Sequence, residues 1–347
     1  MQDNSSKKDF RPVIALSLGD VAGIGPELCI RASQSPSLRR LLQPVLIGPS
    51  DVIAAAAKLW APEAAPLPWD GQSDTLGSRI IRFVHCGDLS SWPRGHADAT
   101  CGRVGYDAVV RACRGVLAGE FDAMTTAPLS KEAVNLAGIA FCGHTELVAE
   151  LSGRDDFVMM QSSRRHKLQV SFATCHMSLA TAAATLDGVR IKRAALLLHQ
   201  ALIAGGTPSP KLAACGLNPH AGEGGYLGRE EIDIVIPALE ELRREGIDIE
   251  GPFPADTLFV PRLRARFDGL VAMYHDQGHI PFKMLAFDCG VNCTLGLPII
   301  RTSPDHGTAY DIAWQGRAGT GSFFAALKMA AELARQKRDK NTGGHRK

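Results

Sequence analysis

The sequence has few aromatic side chains and almost no excess of charge of one sign. Phe, Trp and Tyr make up 6% of the 347 residues, and 38 Lys and Arg balance 36 Asp and Glu to leave a net charge of +2. A protein that binds nucleic acid on a basic face carries a marked positive excess, and a disordered acidic chain carries the opposite. Both classes are therefore excluded, and we expect no nucleic-acid partner.

Long apolar runs and disulfide signatures are also missing. Residues 168–186 contain no Asp, Glu, Lys or Arg, but their Gln, Ser, Thr and His make them too polar to span a bilayer. Residues 1–11 have no apolar core of a secretory signal. The nine cysteines are odd in number and form no C-x-x-C pair, which indicates reduced, buried thiols. We therefore expect a soluble cytoplasmic protein with no membrane partner.

Common cofactor and nucleophile motifs are absent as well. The glycine-rich turn 19–25 does not fit G-x-G-x-x-G, and the sequence contains neither a Walker loop nor a G-x-S-x-G elbow. A Rossmann dinucleotide fingerprint is thus excluded.

Strand-like and helix-like segments alternate along the chain, and the 35 glycines suit the tight turns between them. Strands are predicted at 12–18, 45–48, 79–84, 121–126, 168–174, 211–216 and 269–274. Helices are predicted near 26 and 51, and at 104–118, 190–204 and 230–246. This alternation predicts an α/β fold with a largely parallel sheet, and the length corresponds to about two domains of roughly 150 residues.

Three predicted strands run into a histidine: LQVSFATC into His176, KLAACGLNP into His220, and DGLVAMY into His275. In open α/β sheets, ligands bind at the carboxyl ends of strands. Three neutral imidazoles at that edge can hold one divalent cation with open positions. The alternative is that each histidine caps its strand and bonds a loop, and spacing alone does not decide between the two.

Two segments beyond these strands are rich in residues typical of sites. Asn218–Gly225 is a glycine-dense loop around His220, and His275–Lys283 holds two His, an Asp, a Gln and a Lys. We predict both as loops that line a site, because so many catalytic residue types rarely gather in a plain connection.

Anion-binding chemistry is indicated at two further places. Gly143–Glu146 precedes an apolar helix, where free backbone N–H groups and His144 suit an anion, although Thr145 could simply be the N-cap. Lys283, Asn292 and Arg301 lie in or beside apolar stretches, where a cation needs an anionic partner. A phosphate or carboxylate substrate would serve, and so would a structural Asp or Glu.

Seven segments together resemble one known family. They are GDVAGIGPE (19–27), TTAPLSK (125–131), GHTE (143–146), NPHAGEGG (218–225), PADTLF (254–259), YHDQG (274–278) and GVNCTLGLPIIRTSPDHGTAYDIA (290–313). In this order, across nearly the whole chain, they are similar to the 4-hydroxythreonine-4-phosphate dehydrogenases of pyridoxal-phosphate biosynthesis. Val21 stands where that family usually has Pro.

The resemblance implies a two-domain fold similar to isocitrate and isopropylmalate dehydrogenases, with mostly parallel sheets and the active site in a cleft. We expect a discontinuous first domain of residues 1–137 and 313–347. We expect residues 138–312 to form a second domain that carries the metal site and the dimer interface. The resemblance also implies NAD or NADP, a divalent metal, and a homodimer whose metal ligands come from both subunits. Zinc is the expected metal, with magnesium, manganese and cobalt as alternatives.

The resemblance also assigns roles to residues. Metal binding falls on His176, His220 and His275. Substrate binding falls on His144, Thr145, Lys283, Asn292 and Arg301. Cofactor binding is placed at Leu295, Gly296, Pro298, Asp305, His306 and Thr308. The general base is left open among Asp256, Asp276 and Lys283.

The expected reaction is metal-dependent oxidation of the secondary hydroxyl of a 4-phosphorylated hydroxy acid by NAD(P), followed by decarboxylation of the keto acid. The stretch from His279 to Lys283 resembles a second branch of the family, which acts on 4-phosphorylated threonate or erythronate or on diol acids from aromatic degradation. Two other hypotheses stay open: a three-histidine metal hydrolase or lyase, and a non-catalytic protein that binds a phosphorylated ligand.

Overall fold

A computed structural model describes residues 10–343 and divides the chain into two compact units. The first unit comprises the residues up to Asp155 and those from Leu297 onward, and the second comprises Asp156–Gly296. Within residues 10–343 no helix is both long and apolar enough to cross a membrane. All nine cysteines lie in this described part, and none of them forms a disulfide; Cys142 is exposed rather than buried as predicted.

The strands are β1 (Val13–Ser17), β2 (Gln43–Gly48), β3 (Ala65–Pro68), β4 (Ile80–His85), β5 (Ala123–Thr126), β6 (Val158–Ser163), β7 (Leu168–Phe172), β8 (Leu212–Cys215), β9 (Ile249–Phe253), β10 (Gly269–Ala272), β11 (Val291–Leu295) and β12 (Arg301–Pro304). The helices are α1 (Gly25–Ser33), α2 (Pro36–Arg39), α3 (Ser50–Trp60), α4 (Ala99–Leu117), α5 (Lys131–Leu136), α6 (His144–Leu151), α7 (Leu179–Thr185), α8 (Gly188–Ala204), α9 (Ile236–Arg244), α10 (Ala255–Leu258), α11 (Pro261–Arg264), α12 (His275–Ala286) and α13 (Gly321–Gly343).

The first unit is built on a parallel sheet in the order β3-β4-β2-β1-β5-β12. Residues of β1, β2 and β5 are nearly all buried, as expected for strands covered by helices on both faces. One core cluster packs β1 against α1, α3 and α13, and another packs α4 against the opposite face. The strand–helix alternation of the sequence thus produces the predicted α/β architecture here.

The second unit has the strand order β11-β6-β7-β10-β8-β9. β7, β10, β8 and β9 are parallel, while β6 pairs antiparallel with both β7 and β11. Its core lies between β7, β8, β10 and the buried side of α12. The sequence predicts β7, β8 and β10 within two residues at each end, but it does not predict β6, β9 or β11.

The contact boundaries of the two units differ from the predicted domain boundaries. The structure groups α6 and β12 with the first unit, whereas the sequence prediction put residues 138–312 in the second. The physical reason is local packing: α6 packs on α4, and β12 pairs in parallel with β5.

Two local predictions are wrong. Residues 275–283 are not a loop but most of α12, which tolerates Pro281 in its interior. Gly278 allows this helix to lie close to β7, because a Cβ there would be 2.5 Å from a ring carbon of Phe172.

The tail from Arg335, predicted to be frayed, continues α13 as far as Gly343, and Arg335 donates to the carbonyls of Phe10 and Leu41. Residues 344–347 lie outside the described residues.

A buried ionic cluster anchors the connection between β3 and β4 to the rest of the first unit. The Asp74 carboxylate accepts from Arg82 Nε at 2.8 Å and lies 3.8 Å from Arg39 Nη2, and its side chain is 2% exposed. Gln43 adds two hydrogen bonds: its Nε2 donates to Asp74 Oδ2 at 3.3 Å, and its Oε1 accepts the backbone N–H of Asp74 at 3.0 Å. Removing one member leaves buried charges without compensation, which is more costly than losing an exposed pair.

We therefore predict that Asp74→Ala lowers the free energy of unfolding by about 3–5 kcal/mol, measured by urea denaturation. Asp70→Ala is the matched control, since Asp70 contacts the same Arg82 at 3.1 Å from an exposed position. Its effect should be much smaller. Equal losses in the two variants would contradict the importance of burial.

Candidate functional site

The three histidines follow strands that are neighbours in the sheet of the second unit. β10 pairs in parallel with β7 on one side and with β8 on the other. His176 follows β7, His275 follows β10 and His220 follows β8, so each comes after the carboxyl end of its strand. The parallel order therefore brings the three histidine-bearing segments to one edge of this sheet.

Backbone pairing continues past β7 and fixes the segment that carries His176. The N–H of Ala173 donates to the Ala272 carbonyl at 2.8 Å, and the Thr174 N–H donates to the Met273 carbonyl at 3.2 Å. His176 itself has a left-handed backbone with φ of 40°, which is uncommon for a residue with a Cβ. Such conformations cluster at functional sites.

His176 and His275 lie side by side in the structure, with ring centroids 5.8 Å apart. Potential ligand atoms of Cys175, His176 and His275 all lie within 4.8 Å of one another. These residues line a cavity of about 490 Å³ that also contacts Met177 and Tyr274. The arrangement brings together two of the three histidines that the sequence predicts as metal ligands.

Two sets of contacts orient the His275 ring. Its Nδ1 bonds Asp276 Oδ1 at 2.7 Å, which leaves Nε2 available for a cation, as in the carboxylate–histidine pairs of metal sites. On its other face it stacks on His279 at 3.9 Å, and His279 stacks in turn on Phe172 at 4.3 Å. His275 is thereby held in one orientation.

His279 is a neutral imidazole with a defined tautomer. Its Nδ1–H donates to the His275 carbonyl at 3.0 Å, so its Nε2 accepts from the Gln161 amide at 3.2 Å. The pKa of His279 is lowered to about 4, chiefly by burial and also by the neighbouring His275. An uncharged ring therefore supports His275 from behind.

His220 lies in a left-handed turn, Pro219–Gly225, in which six consecutive residues have positive φ. Its side chain is exposed, and it is not among the three-residue cluster around His275. The turn is held from inside by Glu231, which is 2% exposed. Its Oε1 accepts the N–H groups of Leu217 and Asn218, both at 2.7 Å.

Three other predicted residues belong to the same unit. Lys283 is exposed on α12, eight residues after His275 and four after His279, and therefore shares their helix face. Asn292 on β11 has a buried Oδ1 without a hydrogen-bond partner among the described residues. Asp256 is exposed, and its Oδ1 accepts the N–H of Thr257 in the first turn of α10.

The first unit holds a separate group of polar residues around Arg301. This arginine is 3% exposed at the start of β12, and its guanidinium donates to Thr126 Oγ1 at 2.9 Å and Thr145 Oγ1 at 3.5 Å. Gly143, rather than Thr145, is the N-cap of α6, so the alternative role of Thr145 as a cap is wrong. A buried guanidinium beside hydroxyls and a helix start attracts an anion.

His144 completes this group in the first unit. Its Nε2 is buried without a hydrogen-bond partner among the described residues. Burial, reinforced by the charges of Arg301 and Lys131, holds the pKa of His144 well below its usual value. The ring is therefore neutral at physiological pH and offers one nitrogen to a ligand.

The predicted cofactor residues are divided between the two units. Leu295 and Gly296 belong to the second, whereas Pro298, Asp305, His306 and Thr308 belong to the first. Within the first unit, the 305–310 segment is hydrogen-bonded to the glycine-rich turn 19–25. The Ile24 N–H donates to the Thr308 carbonyl at 3.1 Å, and the Tyr310 hydroxyl donates to the buried carboxylate of Asp20 at 2.5 Å.

Sequence reasoning overlooked several residues that the structure places at these sites. Glu231, His279 and Thr126 have clear roles in positioning, and Cys175 lies in the cluster with His176 and His275. Two signals were available in the sequence: Cys175 is next to His176, and His279 lies within the segment His275–Lys283 that was predicted to line a site. The contacts of Glu231 and Thr126 join residues much farther apart along the chain.

Comparison with known proteins identifies the family. A family model for the pyridoxal phosphate biosynthetic protein PdxA matches residues 40–330. The chain belongs to this family.

Curated PdxA relatives align with the chain over nearly its whole length. It is 41% identical over 337 residues to D-threonate 4-phosphate dehydrogenase of Cupriavidus necator, which covers 94% of this chain and 98% of the relative. It is also 41% identical over 327 residues to 4-hydroxythreonine-4-phosphate dehydrogenase of Desulforapulum autotrophicum, covering 93% and 96% of the two chains.

Solved structures confirm the fold predicted for this PdxA family chain. The 4-hydroxythreonine-4-phosphate dehydrogenase from Klebsiella pneumoniae superposes with a TM-score of 0.80 at 38% identity, covering 93% of this chain and 99% of that one. Isocitrate dehydrogenase from Methylococcus capsulatus has a TM-score of 0.50 at 13% identity, covering 95% and 89% of the chains. The second likeness supports the fold alone.

We predict that Glu231→Ala loosens the turn that carries His220. Two buried backbone donors lose their acceptor, which costs about 1–3 kcal/mol. Hydrogen exchange at Leu217 and Asn218 should accelerate roughly tenfold or more. Glu230→Ala is the matched control, because Glu230 accepts only from the Asn218 side-chain amide among the contacts described here. Unchanged exchange in Glu231→Ala would mean that other contacts hold the turn.

Proposed function

We propose that this protein is a dehydrogenase that oxidises the secondary hydroxyl of a small phosphorylated hydroxy acid. Relatives named for 4-hydroxythreonine-4-phosphate and for D-threonate 4-phosphate support this substrate class. The structural observation that carries the proposal is the set of histidines at the ends of three adjacent parallel strands. NAD or NADP, when bound, would accept the hydride, and a base of this chain would take the hydroxyl proton.

The proposal includes a divalent metal held by His176, His220 and His275. The donor set fits such an ion, because His275 already gives its Nδ1 to Asp276 and keeps Nε2 for a ligand. Imidazole ligands favour zinc, and magnesium, manganese or cobalt are alternatives. When bound, a metal at this place would act as a Lewis acid on the substrate hydroxyl.

Candidate anion-binding residues are present in each unit. In the first unit, Arg301 and the hydroxyls of Thr126 and Thr145 suit a phosphate or carboxylate, and neutral His144 adds one hydrogen-bonding nitrogen. In the second unit, we propose that the Lys283 amine donates a hydrogen bond to a ligand and that the Asn292 Oδ1 accepts one.

For the proton acceptor we favour Lys283 among the three candidates. Asp276 is engaged with His275, and Asp256 accepts the N–H of its own helix turn. Lys283 lies on the helix face that His275 and His279 share. Holding the substrate hydroxyl against the Lys283 amine would favour transfer of the hydroxyl proton to that amine.

Decarboxylation follows from the substrate class. When the oxidised carbon is β to a carboxylate, the bond to that carboxylate breaks and carbon dioxide leaves. The electron pair moves toward the new carbonyl oxygen as an enolate, which then takes a proton from solvent. No second oxidant is needed, so one NAD(P) is reduced for each substrate.

Cofactor binding is proposed for the segments 295–296 and 298–308. This proposal is supported by the hydrogen bonds between the 305–310 segment and the glycine-rich turn 19–25 in the first unit. Backbone groups in such turns can approach a dinucleotide closely without a Rossmann fingerprint.

We also propose a homodimer. Ile280 and Met284 of α12 and Phe287 at its C-cap form one exposed strip at spacings of four and three residues, with exposures of 57%, 82% and 60%. Large apolar side chains in such a continuous strip are typical of interfaces. A second copy of this chain is the partner that we propose for it.

The function is tested with a panel of phosphorylated hydroxy acids followed at the absorbance of reduced nicotinamide. We expect NAD(P)H formation with 4-hydroxythreonine-4-phosphate or with D-threonate 4-phosphate, and loss of it after complete chelation of metal. His220→Ala should reduce kcat by at least about 100-fold while the protein stays folded. His199→Ala, on α8, is the control.

The outcomes separate the competing hypotheses. Activity that survives complete metal removal would exclude the metal role. Turnover of a phosphorylated substrate without nicotinamide would favour a hydrolase or lyase. Ligand-dependent melting without turnover would favour a binding protein.

The homodimer is tested by sedimentation. Met284→Asp places a charge in the exposed strip of α12 and should shift the protein toward the monomer, since burying an unpaired carboxylate is costly. Leu59→Asp, at an exposed apolar position of α3, should leave the mass unchanged. A wild-type protein that sediments as a monomer at all concentrations would refute the dimer.

A further inference from the structure

Cys175 lies among the potential metal ligands of the second unit, although the sequence indicates only a buried, reduced thiol. Its Sγ lies within 4.8 Å of ligand nitrogens of both His176 and His275, which lie within the same distance of each other. The side chain is half-buried and lines the same cavity as the two imidazoles.

We propose that Cys175 is a ligand of the metal bound at His176 and His275, so that this chain has a mixed sulfur and nitrogen site. The inference rests on the proposed function, since it assumes that a metal binds there. It adds a ligand outside the three-histidine set and with it a preference for a different class of ion.

The backbone makes this position a fixed one. Ala173 and Thr174 pair with Ala272 and Met273, so Cys175 is held opposite the start of α12. The Thr174 hydroxyl adds a bond of 2.7 Å to the Met273 carbonyl. The thiol therefore does not depend on a flexible loop to reach His275.

The distances suit a tetrahedral ion after a small contraction. Bonds of about 2.3 Å to sulfur and 2.0–2.1 Å to nitrogen place neighbouring ligand atoms roughly 3.4–3.6 Å apart. The upper bound of 4.8 Å leaves about 1 Å to close. Rotation of the Cys175 and His176 side chains can supply this while His275 and the strands stay in place.

The chemistry of the donor set decides which ion the site selects. Thiolate and imidazole favour zinc, cobalt and cadmium, whereas magnesium and calcium favour carboxylate, carbonyl and water oxygen. On coordination the thiol loses its proton to solvent, and no electron transfer is required. The site should thus bind zinc or cobalt and exclude magnesium at similar concentrations.

Cobalt(II) added to the chelator-treated full chain tests the proposal directly. A cobalt–thiolate bond gives a charge-transfer band in the near ultraviolet, which imidazole ligands do not give. We expect this band in the wild type and its loss in Cys175→Ser. Cys289→Ser is the matched control, because Cys289 is a half-buried cysteine of the same unit whose contact is with Ser163. It should keep the band.

Alkylation of the wild type by iodoacetamide gives a second measurement that needs no variant. Zinc should protect Cys175 from modification, as mapped by peptide mass, and magnesium should not. The exposed Cys142 serves as the reference within the same molecule and should react equally in both cases.

The outcomes distinguish this inference from the proposed function. Stoichiometric cobalt binding without the band, or a band that persists in Cys175→Ser, would overturn the cysteine ligand and leave the histidine site standing. Failure of the wild type to bind cobalt or zinc at all would overturn both.

Discussion

Parallel pairing of β10 with β7 and β8 is the constraint on which the rest of the second unit depends. Because parallel strands share one carboxyl edge, whatever follows them must meet there. His176, His275 and His220 come from segments far apart in the chain, and only this sheet order brings those segments to the same edge. Hydrogen bonds beyond β7 extend the pairing to Ala173 and Thr174, directly before Cys175 and His176.

The supports around His275 show how a site is made rigid. Asp276, His279 and Gln161 form a connected series of hydrogen bonds and a ring stack that leaves His275 one orientation. Since the supporting imidazole is neutral, it would add no repulsion to the cation proposed for this site. The close approach of α12 to β7 depends on the missing Cβ of Gly278. Side chains fixed in this way would lower the cost of ordering on binding of the proposed metal.

The sequence predicted elements whose pattern lies in consecutive residues, and it did not predict contacts between residues far apart along the chain. Apolar runs followed by histidine predicted β7, β8 and β10 and the residues at their ends. The segment from His275 was predicted to be a loop because it is dense in catalytic residue types, whereas it forms most of α12, with Gly278 packed against Phe172. Glu231 could not be assigned, since its bonds to Leu217 and Asn218 form only after the turn closes.

The division of the chain has a consequence for biosynthesis. The second unit is one continuous segment, Asp156–Gly296, whereas the first needs β12 and α13, which are made last. Phe323, Leu327 and Ala330 of α13 fill the core of the first unit. On the ribosome, the second unit can therefore complete its sheet while the first still exposes an unfilled apolar face. Chaperones that bind nascent chains would meet that face before the protein is released.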